Sequence, residues 1–173
     1  MKKKIKGIVS VGLMILILML TSSCMGNEVS PNRIFSSALD AELIISDIAF
    51  GEEYRVTLHL SSVEEDMVRK GEIIYLSPPA LSGIHVLSDE LGSRIKMDDI
   101  EVTMEENELF LPFTLFSTGE IMGNEIKEEE IVYRYTDGRS VYFGVKEERI
   151  TKITYRDIEC IVEWIEVRQE KDK

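Results

Sequence analysis

Tyr54-Arg55-Val56-Thr57-Leu58-His59-Leu60-Ser61 alternates apolar and polar side chains without a break. A period of two places Tyr54, Val56, Leu58 and Leu60 on one face of a strand and Arg55, Thr57, His59 and Ser61 on the other. A helix would scatter the same four apolar residues around its circumference, so these eight positions decide for a half-buried β-strand. On the N-terminal side, residues 41–48 (Ala-Glu-Leu-Ile-Ile-Ser-Asp-Ile) read as a first strand, and Phe50-Gly51-Glu52-Glu53 as the turn that joins the two. On the C-terminal side, the acidic stretch 62–68 reads as a loop or a single helical turn. Gly71–Ser77 is a third strand stopped by Pro78-Pro79, and Ile84–Ser88 a fourth. Glu90-Leu91-Gly92-Ser93 turns into Arg94–Met97, and Ile100–Met104 and Leu109–Leu111 are shorter apolar runs.

Pro112–Met122 suits a short helix, because Pro fits a first helical position, with Phe113, Leu115 and Phe116 facing inward. Asn124–Glu130 reads as a polar link. Ile131–Tyr135, Arg139–Val145, Ile150–Tyr155 and Glu159–Val167 then form a four-stranded meander, with Asp137-Gly138 as a two-residue hairpin turn. Strict alternation in its last strand sets Cys160, Val162 and Trp164 against Ile161, Ile165 and Val167. About ten strand runs with little helix make the fold mainly β (α+β): a single curved antiparallel sheet or an incomplete β-barrel with one or two short helices. Residues 35–167 form this antiparallel β domain, and 168–173 a charged tail.

The N-terminus carries an address. Met1–Lys6 is basic, Gly7–Leu20 is an apolar run of 14 residues, and Thr21–Ser23 is small and polar. A bilayer-spanning helix needs about 20 apolar residues, so residues 1–23 read as a signal-peptide helix and not as an anchor. Leu20-Thr21-Ser22-Ser23-Cys24 resembles the lipobox of bacterial lipoproteins, with Thr21 where that pattern favours Leu. The resemblance implies cleavage between Ser23 and Cys24 and a diacylglycerol on Cys24, whose two chains suffice for stable anchoring. Residues 24–34 then make the acylated cysteine and a flexible tether. Cys160, inside a strand-like run, is expected to be buried, and no intramolecular disulfide remains.

The whole chain of 173 residues carries 20 Lys and Arg against 32 Asp and Glu. The four basic residues of the signal segment (Lys2, Lys3, Lys4 and Lys6) leave sixteen against those 32 acids from Cys24 onward. Such a charge excludes a nucleic-acid binder and argues against docking on anionic lipid. Two cysteines and two histidines are too sparse for a familiar structural zinc site, so no metal or cofactor is expected. There is no Gly-x-Ser-x-Gly elbow and no phosphate-cradling glycine loop. His59 and His85 read as sheet-face residues. The acidic runs at 64–66, 98–99, 105–106 and 128–130 read as solvated loop charge, since none has the spacing of a calcium loop. Phe110, Phe113, Phe116, Tyr133, Tyr135, Tyr142, Phe143 and Trp164 read as core before groove lining. No residue is singled out for catalysis or ligand binding.

Leu76-Ser77-Pro78-Pro79-Ala80-Leu81-Ser82-Gly83-Ile84 resembles a segment of uncharacterised lipoproteins of Clostridia-type bacteria, themselves similar to the lipoprotein-carrier (LolA/LolB-like) superfamily. The resemblance covers residues 35–167 and implies an incomplete antiparallel barrel wrapped around short helices, in a Gram-positive host. It implies an apolar-ligand-binding fold more than lipoprotein transport, because carriers are soluble and this chain is tethered. The expectation is a non-enzymatic lipoprotein on the extracytoplasmic face of the cell membrane, holding an apolar or lipid-like ligand in a concave sheet. Its alternative is a protein-interaction module of the envelope without a pocket, its protein partner unknown.

Overall fold

The run that begins this reading is the second strand of an eleven-stranded antiparallel sheet in the computed structural model. The structure describes residues 30–48, 51–63, 69–105 and 108–168, which apart from Ser30 belong to one unit of the chain. The signal segment, Ser23, Cys24, Phe50 and the acidic run 64–66 lie outside the described residues.

The strands are β1 (Leu39–Asp47), β2 (Glu52–Leu60), β3 (Gly71–Ser77), β4 (His85–Asp89), β5 (Gly92–Met97) and β6 (Ile100–Thr103), followed by β7 (Ile121–Lys127), β8 (Glu130–Tyr135), β9 (Ser140–Gly144), β10 (Arg149–Tyr155) and β11 (Ile158–Val167). Their spatial order is β6-β5-β4-β3-β2-β1-β11-β10-β9-β8-β7. Two meanders, β1–β6 and β7–β11, are therefore joined by pairing of the first strand with the last. Among the described residues β6 and β7 do not pair, so the sheet is open and curved and does not close into a barrel.

One face is the core. Leu39, Ala41, Leu43 and Ile45 of β1 are buried beside Val56, Leu58 and Leu60 of β2 and Cys160 and Val162 of β11. Each large aliphatic so buried contributes roughly 1.5–3 kcal/mol against conformational entropy. Three short helical pieces cover this inner face: α1 (Pro31–Ser36), a 3-10 turn (Glu108–Phe110) and α2 (Leu111–Leu115). α1 buries Pro31 and Phe35, so residues 31–34, read from sequence as tether, are part of the folded unit. Phe35 meets Phe116 edge-on at 5.5 Å between ring centroids.

The short apolar run Leu109–Leu111 is the junction of the 3-10 turn with α2. Two further expectations fail in the region 112–130. α2 ends at Leu115, not Met122, and of the stretch Asn124–Glu130 read as a polar link, residues 124–127 belong to strand β7 and Glu130 opens β8. β7 is an edge strand whose residues are nearly all exposed, so it has no apolar alternation to betray it; its pairing with β8 makes it a strand. The terminal meander thus has five strands.

The last strand is also read wrongly by strict alternation. Glu42 pairs with Trp164 but Leu43 with Val162, so Glu163 is an extra residue on β11. Such a bulge reverses the facing of everything beyond it. Cys160 and Val162 face inward, Ile165 packs against the core beside them, and Ile161 and Trp164 face outward, Trp164 being 46% exposed.

Candidate functional site

One end of the inner face is left uncovered. Between the 3-10 turn, the start of α2 and the ends of β1, β2, β3, β10 and β11 lies a cleft of about 920 Å³. That volume falls in the range of about 300–1,000 Å³ for small-molecule sites. Its walls are apolar: Ile45, Leu109, Leu111, Pro112 and Ile158, with the rings of Tyr75 and Tyr155.

The local sequence explains each wall. Inward-facing positions of β1 and β3 continue their alternation to the strand ends, which places Ile45 and Tyr75 there. Tyr75 donates its hydroxyl to the Leu109 carbonyl at 3.1 Å, tying the 3-10 turn to the sheet. Burial pushes the Tyr75 phenol up, so it remains a neutral donor. β3 stops at a cis Ser77–Pro78 bond, and Gly83, at φ +85°, closes the corner by donating its N–H to the Tyr75 carbonyl. The Ser-Pro segment thereby brings Leu81 to the rim of the cleft.

The rim is polar and mainly acidic. Asp47, Glu52, Glu108 and Asp157 line it, with Arg156 as the cation among them. Tyr54 donates its hydroxyl to Glu52 and stands edge-on to Tyr75, with ring centroids 6.3 Å apart. That hydrogen bond, then burial, then the negative charges of Glu52, Glu108 and Asp47 push the Tyr54 phenol up to about 12. Arg156, at φ +54° in the β10–β11 turn, lies over the Tyr155 ring at 4.9 Å.

Two arginines hold the cover in place. Arg139 is fully buried, and its Nη1 donates to the carbonyls of Thr114 (3.0 Å), Leu115 (3.0 Å) and Ser117 (2.7 Å). Its Nε donates to Asp137 at 2.7 Å, and its guanidinium lies 4.7 Å from the Tyr135 ring centroid. Arg69 donates to the carbonyls of Ser61, Phe116 and Ser37. Burial lowers Arg69 only to about 10, so it stays charged near neutrality. Both cations thus take up carbonyls just past the ends of the short helices, Phe116 and Ser37 for Arg69 and Ser117 for Arg139. Asn32 of α1 adds a reciprocal pair with the backbone of Gly119 and accepts from the Tyr135 hydroxyl.

The residues weighed from sequence fall elsewhere. His59 meets Asp40 at 2.7 Å and His85 meets Glu72 at 2.6 Å, both on the outer face. Phe110, Phe116, Tyr133, Tyr135 and Phe143 are buried in the core, as read; Trp164 is not. None of the eight aromatics considered as groove lining lines the cleft. Its tyrosines are Tyr54, Tyr75 and Tyr155, placed by strand ends that no local motif marks. Cys160 is buried, and its thiol is pushed up to about 12 by that burial. Among the described residues no three His, Cys, Asp or Glu side chains are grouped to hold a metal ion, and no helix is long and apolar enough to cross a membrane.

No protein-family model matches the chain, and no curated protein does either. Three solved structures are similar to it. An uncharacterised conserved protein from Thermus thermophilus shares 12% identity at a TM-score of 0.46, covering 81% of this chain and 84% of that one. An outer membrane lipoprotein-sorting protein domain, so described for Vibrio parahaemolyticus, shares 10% identity at 0.43, covering 83% and 90%. A LolA superfamily protein from Nitrosomonas europaea shares 9% identity at 0.47, covering 82% and 94%.

Proposed function

We propose that this chain is a lipoprotein of the bacterial cell envelope, anchored on the extracytoplasmic face of the cell membrane by a diacylglycerol on Cys24. It is not an enzyme; it binds an apolar or lipid-like ligand in the cleft beneath the 3-10 turn and α2. The cleft itself carries the reading: about 920 Å³ with apolar walls, beside the 3-10 turn and the start of α2. Burying ten methylenes there supplies about 8 kcal/mol before the cost of ordering the ligand. The tether keeps the cleft near the membrane from which such a ligand would come.

The test is native mass spectrometry of the full chain, extracted from membranes and exchanged into a detergent of one defined mass. A co-purifying mass of several hundred daltons, released by organic solvent and lost in a Leu111→Glu variant, supports the reading. A clean mass after incubation with mixed lipid extract sinks it. That outcome would favour the second reading, a protein-interaction module. One observation points that way: Met97, Ile100 and Val102, on the inner face of the β5–β6 hairpin, are exposed.

A further inference from the structure

We propose that the cleft selects its ligand by the charge of the head group, taking a single-chain amphiphile with a cationic amine or quaternary ammonium head in preference to an anionic one. This rests on the apolar-ligand reading and adds to it the chemistry of the ligand's polar end.

The rim is where that end must sit, since the apolar walls lie behind it. Among the described residues, four carboxylates, from Asp47, Glu52, Glu108 and Asp157, line the cleft with the guanidinium of Arg156. They come from four places: the end of β1, the start of β2, the 3-10 turn and the β10–β11 hairpin. The β1–β2 hairpin pairs Asp47 with Glu52, and the tertiary fold adds Glu108 and Asp157 to the same cleft. Glu52 accepts the Tyr54 hydroxyl, and Asp47 and Glu108 line the same cleft as that tyrosine. Arg156 lies over the Tyr155 ring, at the β10–β11 side of the mouth.

The opening therefore combines an excess of negative charge with the ring of Tyr54, in front of walls that include the Tyr75 ring and the Tyr155 ring under Arg156. Carboxylates beside ring faces are the surroundings a cationic head prefers, through charge attraction and cation–π contact. An anionic head meets the reverse. It would be taken out of water against three or four carboxylates, with one guanidinium to offset them. The field of the whole domain adds to this, with sixteen basic residues against 32 acids from Cys24 onward. A fatty-acid carboxylate is thus the wrong partner for this mouth although its chain fits the walls.

The experiment compares three photoreactive dodecyl probes that differ only in the head: trimethylammonium, carboxylate and uncharged glycol. The full chain is held in phosphatidylcholine nanodiscs. Labelling of the cleft peptides is normalised to labelling of the disc scaffold, which corrects for partition into the lipid. The expected result is a cleft yield for the ammonium probe about tenfold or more above the carboxylate probe, with glycol between them. The E52Q/E108Q variant should cut that ratio to about threefold, as should raising the ionic strength. Equal cleft labelling by all three heads, or a carboxylate excess, overturns head-group selection and leaves the apolar cleft standing. Absence of cleft labelling by any probe overturns the apolar-ligand reading and this inference with it. The comparison on the unaltered chain decides between these outcomes even if the variant fails to fold.

Discussion

Replacing Arg139 by Met should be among the most damaging single changes in the domain. Arg139 side-chain exposure is 0%, and its guanidinium serves three carbonyls at the end of α2, Asp137 and the Tyr135 ring. Methionine keeps much of the volume, so little of the loss comes from a cavity. The loss comes chiefly from the carbonyls of Leu115 and Ser117, each deprived of the Arg139 donor at about 1 kcal/mol or more, while the Thr114 carbonyl keeps the N–H and hydroxyl of Ser117. Asp137, 43% exposed, rehydrates and adds little. With the ring contact, the total is about 2–4 kcal/mol, against a stability of roughly 5–15 kcal/mol for a typical domain. Urea unfolding followed by circular dichroism measures it, with Arg134→Met as the control. Arg134 makes an exposed 3.3 Å contact with Glu125 and should cost under about 1 kcal/mol. Arg139→Lys should fall between the two, because an ammonium lacks the fork that reaches both Asp137 and the carbonyls. Because Leu111 and Pro112 of α2 line the cleft, probe labelling there should fall in Arg139→Met under conditions where the fold survives. A loss below about 1 kcal/mol would refute the claim that Arg139 holds the cover on the sheet.

Other consequences follow from the packing. A Cβ on Gly119 would lie 2.9 Å from Arg139 Nη2 and 3.0 Å from the Tyr135 ring, so Gly119→Ala should destabilise by about 1–3 kcal/mol, readable as a lowered urea midpoint. Cys160 should resist a thiol reagent such as dithionitrobenzoate at pH 8 in the folded chain and react fully in urea; rapid reaction without denaturant would contradict its burial. Burial raises the folded-state values of Cys160 and Tyr135 to about 12, from ordinary values of 9.0 and 10.0. The folded chain therefore keeps protons the unfolded chain has lost, and stability should be intact below about pH 9 and decline toward pH 12. A urea midpoint that stays level across that interval would count against it. Trp164→Ala should change stability by less than burial of a tryptophan would imply, since the bulge at Glu163 turns it outward; a loss above about 3 kcal/mol would mean that Trp164 is part of the core.

The fold was largely legible because its strongest signal is local. Strands with one buried face alternate where pairing is regular, and β1, β2 and β3 do so in the chain itself, whereas β10 and β11 carry register shifts. Asp137-Gly138 marks its hairpin, with Gly138 at φ +92° where the turn requires it. What escaped has a common cause. β7 is an edge strand that buries almost nothing, α1 is six residues long and the bulge at Glu163 adds one residue to a pairing. Each depends on contacts with residues far away in sequence, and none leaves a periodic mark.

The candidate site lies wholly on that non-local side. Nothing near Tyr54, Tyr75 or Tyr155 distinguishes them from core aromatics, and Arg139 reads as an ordinary polar residue after a turn. Alternation and turn chemistry act over a few neighbouring residues, so strand composition, an antiparallel sheet and an acidic surface were already written in the linear chain. The cleft exists because β1 pairs with β11 and the segment between β6 and β7 crosses the inner face without covering its end. Those contacts join residues dozens of positions apart, and their energy depends on packing in three dimensions.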